Sequence, residues 1–228
     1  MIKAGIDQDA IVKMFSEATV KQGEALRKAV SDATLKALQG RELTMENIKK
    51  VLKTVTTAAT TGAAQNVASP VDVEAMLTKA FAGMDAALLQ AVEANRRALQ
   101  QFVDQGAGLQ EKQLKGALAN IEKMEDTFFA TVTKAVQGGS GPMQAPWEHV
   151  LSAMKMKGTD TGAQATLTVE QLVAQTQTAL RDGRAATAKT AQAMLDGYAA
   201  LVSGVLIGMS DALQSGGVEA SAAKAKKK

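Results

Sequence analysis

His149 is the chain's one histidine and stands beside Glu148, two residues after Trp147. A hydrolytic triad or a zinc site needs further nitrogen, sulfur or nucleophile partners around such a ring. The sequence holds no second histidine and no cysteine, so a solvated or packed imidazole is the expectation. Glu122, Glu125 and Asp126 form a dense acidic group with Lys123 among them. On a helix that pattern gives a charged exposed face with neighbouring ion pairs, not an acid/base dyad. The stretch "GGSGP" at 138–142 lacks the following Lys-Ser/Thr and the preceding strand of a phosphate loop, and reads as a linker. Basic and aromatic residues are not interleaved as a nucleotide-stacking surface requires. No catalytic, metal-ligating or cofactor-binding residue is assigned, and the expectation is a protein that is not an enzyme and has no cofactor.

Composition points to the elements that would position these side chains. Only seven of 228 residues are aromatic and three are proline, while Ala, Gln, Thr, Lys, Met and Leu dominate. That is a helix-forming vocabulary, and the expected fold is all-α, with long amphipathic helices in an elongated bundle or coiled-coil-like arrangement. The lack of cysteine suits a reducing cytoplasm, and the N-terminus has no apolar core of signal-peptide type. Net charge is +3, yet Lys224, Lys226, Lys227 and Lys228 account for it; without them 22 basic residues face 23 acidic ones. The lysine end could touch an anionic partner such as DNA, or simply solubilise the terminus.

Start and stop signals lay out the helices. Asp7 is placed to cap a first helix running to about Leu38 and stopped by Gly40. Thr44 starts a second, expected to fray early because five of the eight residues from 54 to 61 are threonine. Ser69, Pro70 and Asp72 in "SPVD" make the clearest start. A helix continuous from 70 to 137 would be about 100 Å long, although Gly106, Gly108 and Gly116 could fold it into a hairpin. A short helix from Trp147 to about Lys157 is expected next, then a loop "GTDTGAQAT". The last helix is placed at Thr168, with Gln171 completing a capping box, and runs to about Leu213. The resulting division is 1–65, an N-terminal helical hairpin; 66–137, a long helix or hairpin; 138–167, a linker with a short helix; 168–214, a C-terminal helix; and 215–228, a Lys/Ala tail.

Steps of eleven expose the main pattern. One column is Leu77, Leu88, Leu99, Gln110, Ile121 and Val132; another is Phe81, Val92, Val103, Leu114, Glu125 and Val136. Ten of the twelve are apolar, whereas the columns from Lys79 and Ala82 are mostly charged or amide residues. Eleven residues in three turns keep an apolar stripe nearly straight along a helix. Such a stripe can pack in a bundle or lie on an apolar surface. A second apolar sector, Leu195, Tyr198, Val202, Val205, Leu206, Met209 and Leu213, falls on "GYAALVSGVLIGMSDAL". Its fourteen uncharged residues between Asp196 and Asp211 are too few to span a bilayer. Gly204 and Gly208 add a weak close-crossing signal. So much apolar area calls for cover by a bundle, a subunit interface or a hydrophobic surface.

From about residue 70 onward, with "AQAMLDGYAALVSGVLIGMSDAL" and "AKAKKK" as its nearest pieces, this cysteine-free chain resembles the phasins that coat bacterial polyhydroxyalkanoate granules. The resemblance is one of composition. It implies a non-enzymatic, cytoplasmic coat on a hydrophobic polyester inclusion that limits coalescence and recruits granule enzymes. The lysine end is similar to tails that join granules to DNA, though much shorter. On this reading Leu77, Phe81, Leu88, Val92, Leu99, Val103, Tyr198, Val202, Val205, Leu206 and Met209 meet the hydrophobic polymer or lipid surface, with no transmembrane span and with homo-oligomers expected. Two alternatives stay open: an oligomeric helical scaffold with no lipid or polymer ligand, and a nucleoid-associated protein working through Lys224, Lys226, Lys227 and Lys228.

Overall fold

The computed structural model describes residues 6–39, 43–67, 69–104, 111–138, 141–181, 202, 205–207 and 209. The fold is all-α, as the composition implied, and no strand occurs among the described residues. The elements are α1 (Gln8–Glu17), a 3-10 turn (Val20–Gln22), α2 (Gly23–Gln39), α3 (Met45–Gln65), α4 (Pro70–Asp104), α5 (Glu111–Glu122), α6 (Met124–Gln137), α7 (Gln144–Lys157) and α8 (Asp160–Arg181). Helix α4 is the axis: α2, α3, α7 and α8 pack against it, while α1 and α6 pack on α3.

The expected first helix is two. Asp7 caps α1 through a 2.9 Å bond from the Ala10 amide, but Ala18 is extended. Thr19 then opens a new start, its amide donating to Gln22 Oε1 at 3.0 Å. The Asn66 side-chain amide closes α1, donating to the carbonyls of Phe15 and Ala18 at 2.7 and 3.0 Å. Thr44 does cap α3, which continues to Gln65 through the threonine run instead of fraying. Thr54, Thr60 and Thr61 donate their hydroxyls to carbonyls one turn back, and the helix is held on one side by its buried Val55, Ala58, Ala59 and Ala63. Ser69 caps α4 as expected, accepting from the Asp72 amide.

The segment from 70 to 137 folds back on itself. Phe81 on α4 and Phe128 on α6 stack with centroids 4.4 Å apart, whereas in one straight helix those 47 steps would separate them by about 70 Å. Phe129 joins at 5.4 Å from Phe81. Gly106 and Gly108 lie outside the described residues; Gly116 stays within α5, and a turn at Lys123 separates α5 from α6.

The last start also moves. Helix α8 begins at Asp160, eight residues before Thr168, and Thr168 is fully buried in its interior. Its cap is Thr159, whose hydroxyl accepts from the Gly162 amide at 2.9 Å. Gly158, at φ +77°, makes the bend from α7, a region of backbone space that glycine enters without the Cβ penalty.

Candidate functional site

The apolar columns converge on the core. Leu77, Leu88, Val92 and Leu99 have no exposed surface and Phe81 is 1% exposed. Ile121, Val132 and Val136 from the later turns of the same columns are buried too. In this fold the stripe is used in helix packing. Of the second sector, Val202 and Leu206 are buried in the same core, Val205 and Met209 are half-buried against it, and Ile207 beside them is exposed. Leu195, Tyr198, Gly204, Gly208, Leu213, Lys224, Lys226, Lys227 and Lys228 lie outside the described residues, as does the side chain of Val103.

Small residues let the helices around α4 come close. A methyl on Gly83 would stand 2.5 Å from the Arg27 carbonyl and 2.9 Å from Val30 Cβ. Trp147 fills the gap between α7 and α3, fully buried, with its indole N–H donating to Thr60 Oγ1 at 2.9 Å. His149 lies outside this core; its Nδ1 is 3.2 Å from Glu74 Oε2, and both side chains are exposed. Of the two expectations for this imidazole, solvated or packed, the structure has the solvated one.

The most organised polar arrangement is one the sequence did not announce. It gathers at the start of α8, where the first amides of a helix have no partner within the helix itself. Asp85, from the middle of α4, accepts from the Asp160 amide at 3.0 Å and from the Thr161 amide at 3.2 Å. The Thr161 hydroxyl returns a bond to the Asp85 carbonyl at 3.0 Å. From α6, Glu125 Oε1 accepts from the Thr159 amide at 3.0 Å and from its hydroxyl at 2.6 Å. Gly162 leaves room for this carboxylate, since a Cβ there would overlap it. One turn on, Gln164 donates to Glu93 at 3.4 Å, and Glu93 pairs with Arg96 and Arg97.

Two of these carboxyls are perturbed in opposite senses. Burial pushes the Asp85 carboxyl above the usual range, opposed by the bonds from Thr161 and Asp160. Glu93 is held low, first by the Arg96 hydrogen bond, against its partial desolvation, with Arg97 adding to the effect. Two signals were present in the sequence: Asp85 is the one charge in "FAGMDAALL", and Glu125 is the charge that interrupts an otherwise apolar column. Glu122 and Asp126, by contrast, are exposed as expected. An open groove of about 860 Å³ lies beside this cluster, with Phe129 as its apolar wall and Asp126, Lys134 and Lys155 at its rim. Among the described residues no group of three His, Cys, Asp or Glu side chains could hold a metal ion, and no helix is long and apolar enough to cross a membrane.

A family model matches residues 1–215, which takes in every helix described above. The chain belongs to the Family of unknown function, DUF6781. No curated protein and no solved structure matches it. The DUF6781 match includes the first 65 residues, for which the phasin resemblance offered no counterpart, and both helices that supply carboxylates to α8. The four lysines at 224 and 226–228 follow the matched span.

Proposed function

We propose that this DUF6781 chain is a non-enzymatic coat protein for a hydrophobic intracellular surface, with polyester (polyhydroxyalkanoate) granules in the bacterial cytoplasm as the specific target. The observation that supports the reading is the apolar face of α4, from Leu77 to Leu99 with Asp85 as its one charge, carried by a helix of 35 residues. A face of that length, about 33 Å from Leu77 to Leu99, offers one straight line of contact to a flat apolar partner once its covering helices part. The composition shared with phasins supports the choice of polymer, and recruitment of granule enzymes and self-association belong to the same reading.

The burial of the same stripe favours a second reading, an oligomeric helical scaffold whose apolar residues are all satisfied by protein. The lysine tail as a DNA contact is the third. Co-sedimentation separates them: purified protein is mixed with polyhydroxybutyrate particles, phospholipid vesicles and hydrophilic beads. The granule-coat reading expects selective retention on the polyester. Retention on neither apolar surface overturns it and leaves the scaffold, while salt-sensitive DNA binding lost on removing residues 224–228 would carry the third reading.

A further inference from the structure

We infer that α8 is a hinged strap over the Leu88–Leu99 half of the α4 stripe, fastened at its N-terminus by Asp85 and Glu125, and that undoing this fastening is the step that bares this half. The inference rests on the granule-coat reading for what the bared stripe then meets, but the strap itself is a property of the fold.

The coverings of α4 differ in kind. Helix α2 brings Leu26, Val30, Leu35 and Leu38 into the core, with its backbone pressed against Gly83. Between 160 and 174, α8 buries Thr161, Gly162, Ala165, Thr168 and Leu172 and half-buries Val169, so Leu172 is the one fully buried large apolar side chain of that stretch. Hydroxyls and methyls remove far less apolar area from water than leucines do, and the hydrophobic grip of this stretch of α8 is weaker in proportion. Polar mismatches weaken it further. Thr168 Oγ1 on α8 and Gln90 Oε1 on α4 are buried with no hydrogen-bond partner, a penalty of the closed state that water would remove in the open one.

The densest set of polar contacts on α8 is at its first turn. Asp85 and Glu125 reach from two other helices to the amides of Thr159, Asp160 and Thr161, where negative charge also meets the positive end of the helix dipole. Asp85 stands on the stripe's own face: Phe81, Leu88, Val92 and Leu99 are 4 before and 3, 7 and 14 after it in the sequence, the spacing of one side of a helix. The helix whose start Asp85 holds thus lies over that side. The pivot is at hand as well. Between Lys157, the last residue of α7, and Asp160 lie two residues, one of them Gly158 at φ +77°. Helix α7 is seated on α4 and α6 and is tied to Thr60 of α3 by Trp147, so α8 can swing while α7 stays.

Hydrogen exchange and particle binding on the full chain test this. In Asp85→Ala, and in the milder Thr159→Ala should the first not fold, α8 amides are expected to exchange at least tenfold faster than in the wild type, with α2 and α3 amides within twofold. Because the chain has no cysteine, the double variant Asp85→Cys, Thr161→Cys gives a clean lock. Oxidised, it should lose binding to polyhydroxybutyrate particles, and reduction should restore it. Exchange of α8 in step with α2 and α3, or a locked protein that binds as the wild type does, overturns the strap. A wild type that never binds particles overturns the granule-coat reading, and the exchange result still decides whether α8 opens alone.

Discussion

At the scale of single residues, Asp85 and Glu93 titrate with opposite consequences although both are carboxylates on α4. The native pKa of Asp85 is raised, so between that value and the unfolded value of about 3.9 the folded chain holds a proton that the unfolded chain has released. Lowering the pH through this window favours the native state at Asp85. For Glu93 the native value is depressed; its stabilisation is complete above the unfolded value of about 4.3 and is lost as pH falls through the native one. Urea midpoints measured from pH 7 to pH 3 should therefore show Glu93→Gln destabilising at pH 7 and converging with the wild type in acid, while Asp85→Asn removes a component that strengthens on acidification. At pH 7, Asp85→Ala should lose about 1–3 kcal/mol, because two amides at the start of α8 are left without an acceptor. Asp85→Asn keeps one acceptor oxygen and should lose less. Equal losses for the two would show that the amides of Asp160 and Thr161 do not depend on that oxygen.

At the scale of elements, the close crossings make glycine substitutions diverge. Gly83 faces backbone and a branched side chain of α2, and Gly62 faces the Val12 carbonyl and Phe15 Cβ of α1. Neither neighbour can turn aside, so Gly83→Ala and Gly62→Ala should each destabilise by about 1–3 kcal/mol in urea denaturation. Gly116 is exposed on α5 with nothing near its would-be Cβ, and Gly116→Ala should stabilise by up to about 1 kcal/mol through helix propensity. Elements also show where local signals mislead. The pattern Thr-x-x-Gln occurs at 19–22 and at 168–171. The first is a helix start because Asn66 draws off the carbonyls at the end of α1 and the chain turns there. The second lies inside α8 because Thr159, Asp85 and Glu125 begin that helix earlier and α4 buries Thr168. Four residues of sequence cannot tell these cases apart, since the deciding groups come from up to 51 and 76 positions away.

At the scale of the whole molecule, the packing of α2 on α4 and the Trp147 contact with Thr60 of α3 tie residues 1–65 to the rest, and the aromatic contact between α4 and α6 closes the 70–137 segment onto itself. Phe81→Ala removes a fully enclosed ring from this junction and should lower stability by about 3–5 kcal/mol. Trp147 is the one tryptophan, and its emission reports the α3–α7 contact directly. In the wild type and in Phe81→Ala, its red shift on denaturation should coincide with loss of far-ultraviolet helicity. Two separated transitions would mean that residues 1–65 fold as a module of their own.

The sequence alone determined the helical class, the caps at Asp7, Thr44 and Ser69 and the eleven-residue stripe. These are local facts: propensity, capping and periodicity act over a few turns of chain. Tertiary structure decided that the long helical segment doubles back, since Phe81 gains more from stacking on Phe128 than a lone rod would leave it in water. It also decided that the stripe is covered and where α8 begins. Asp85 and Glu125 carry no motif, and their role exists only because folding brings two distant carboxylates to the unpartnered amides of one helix end.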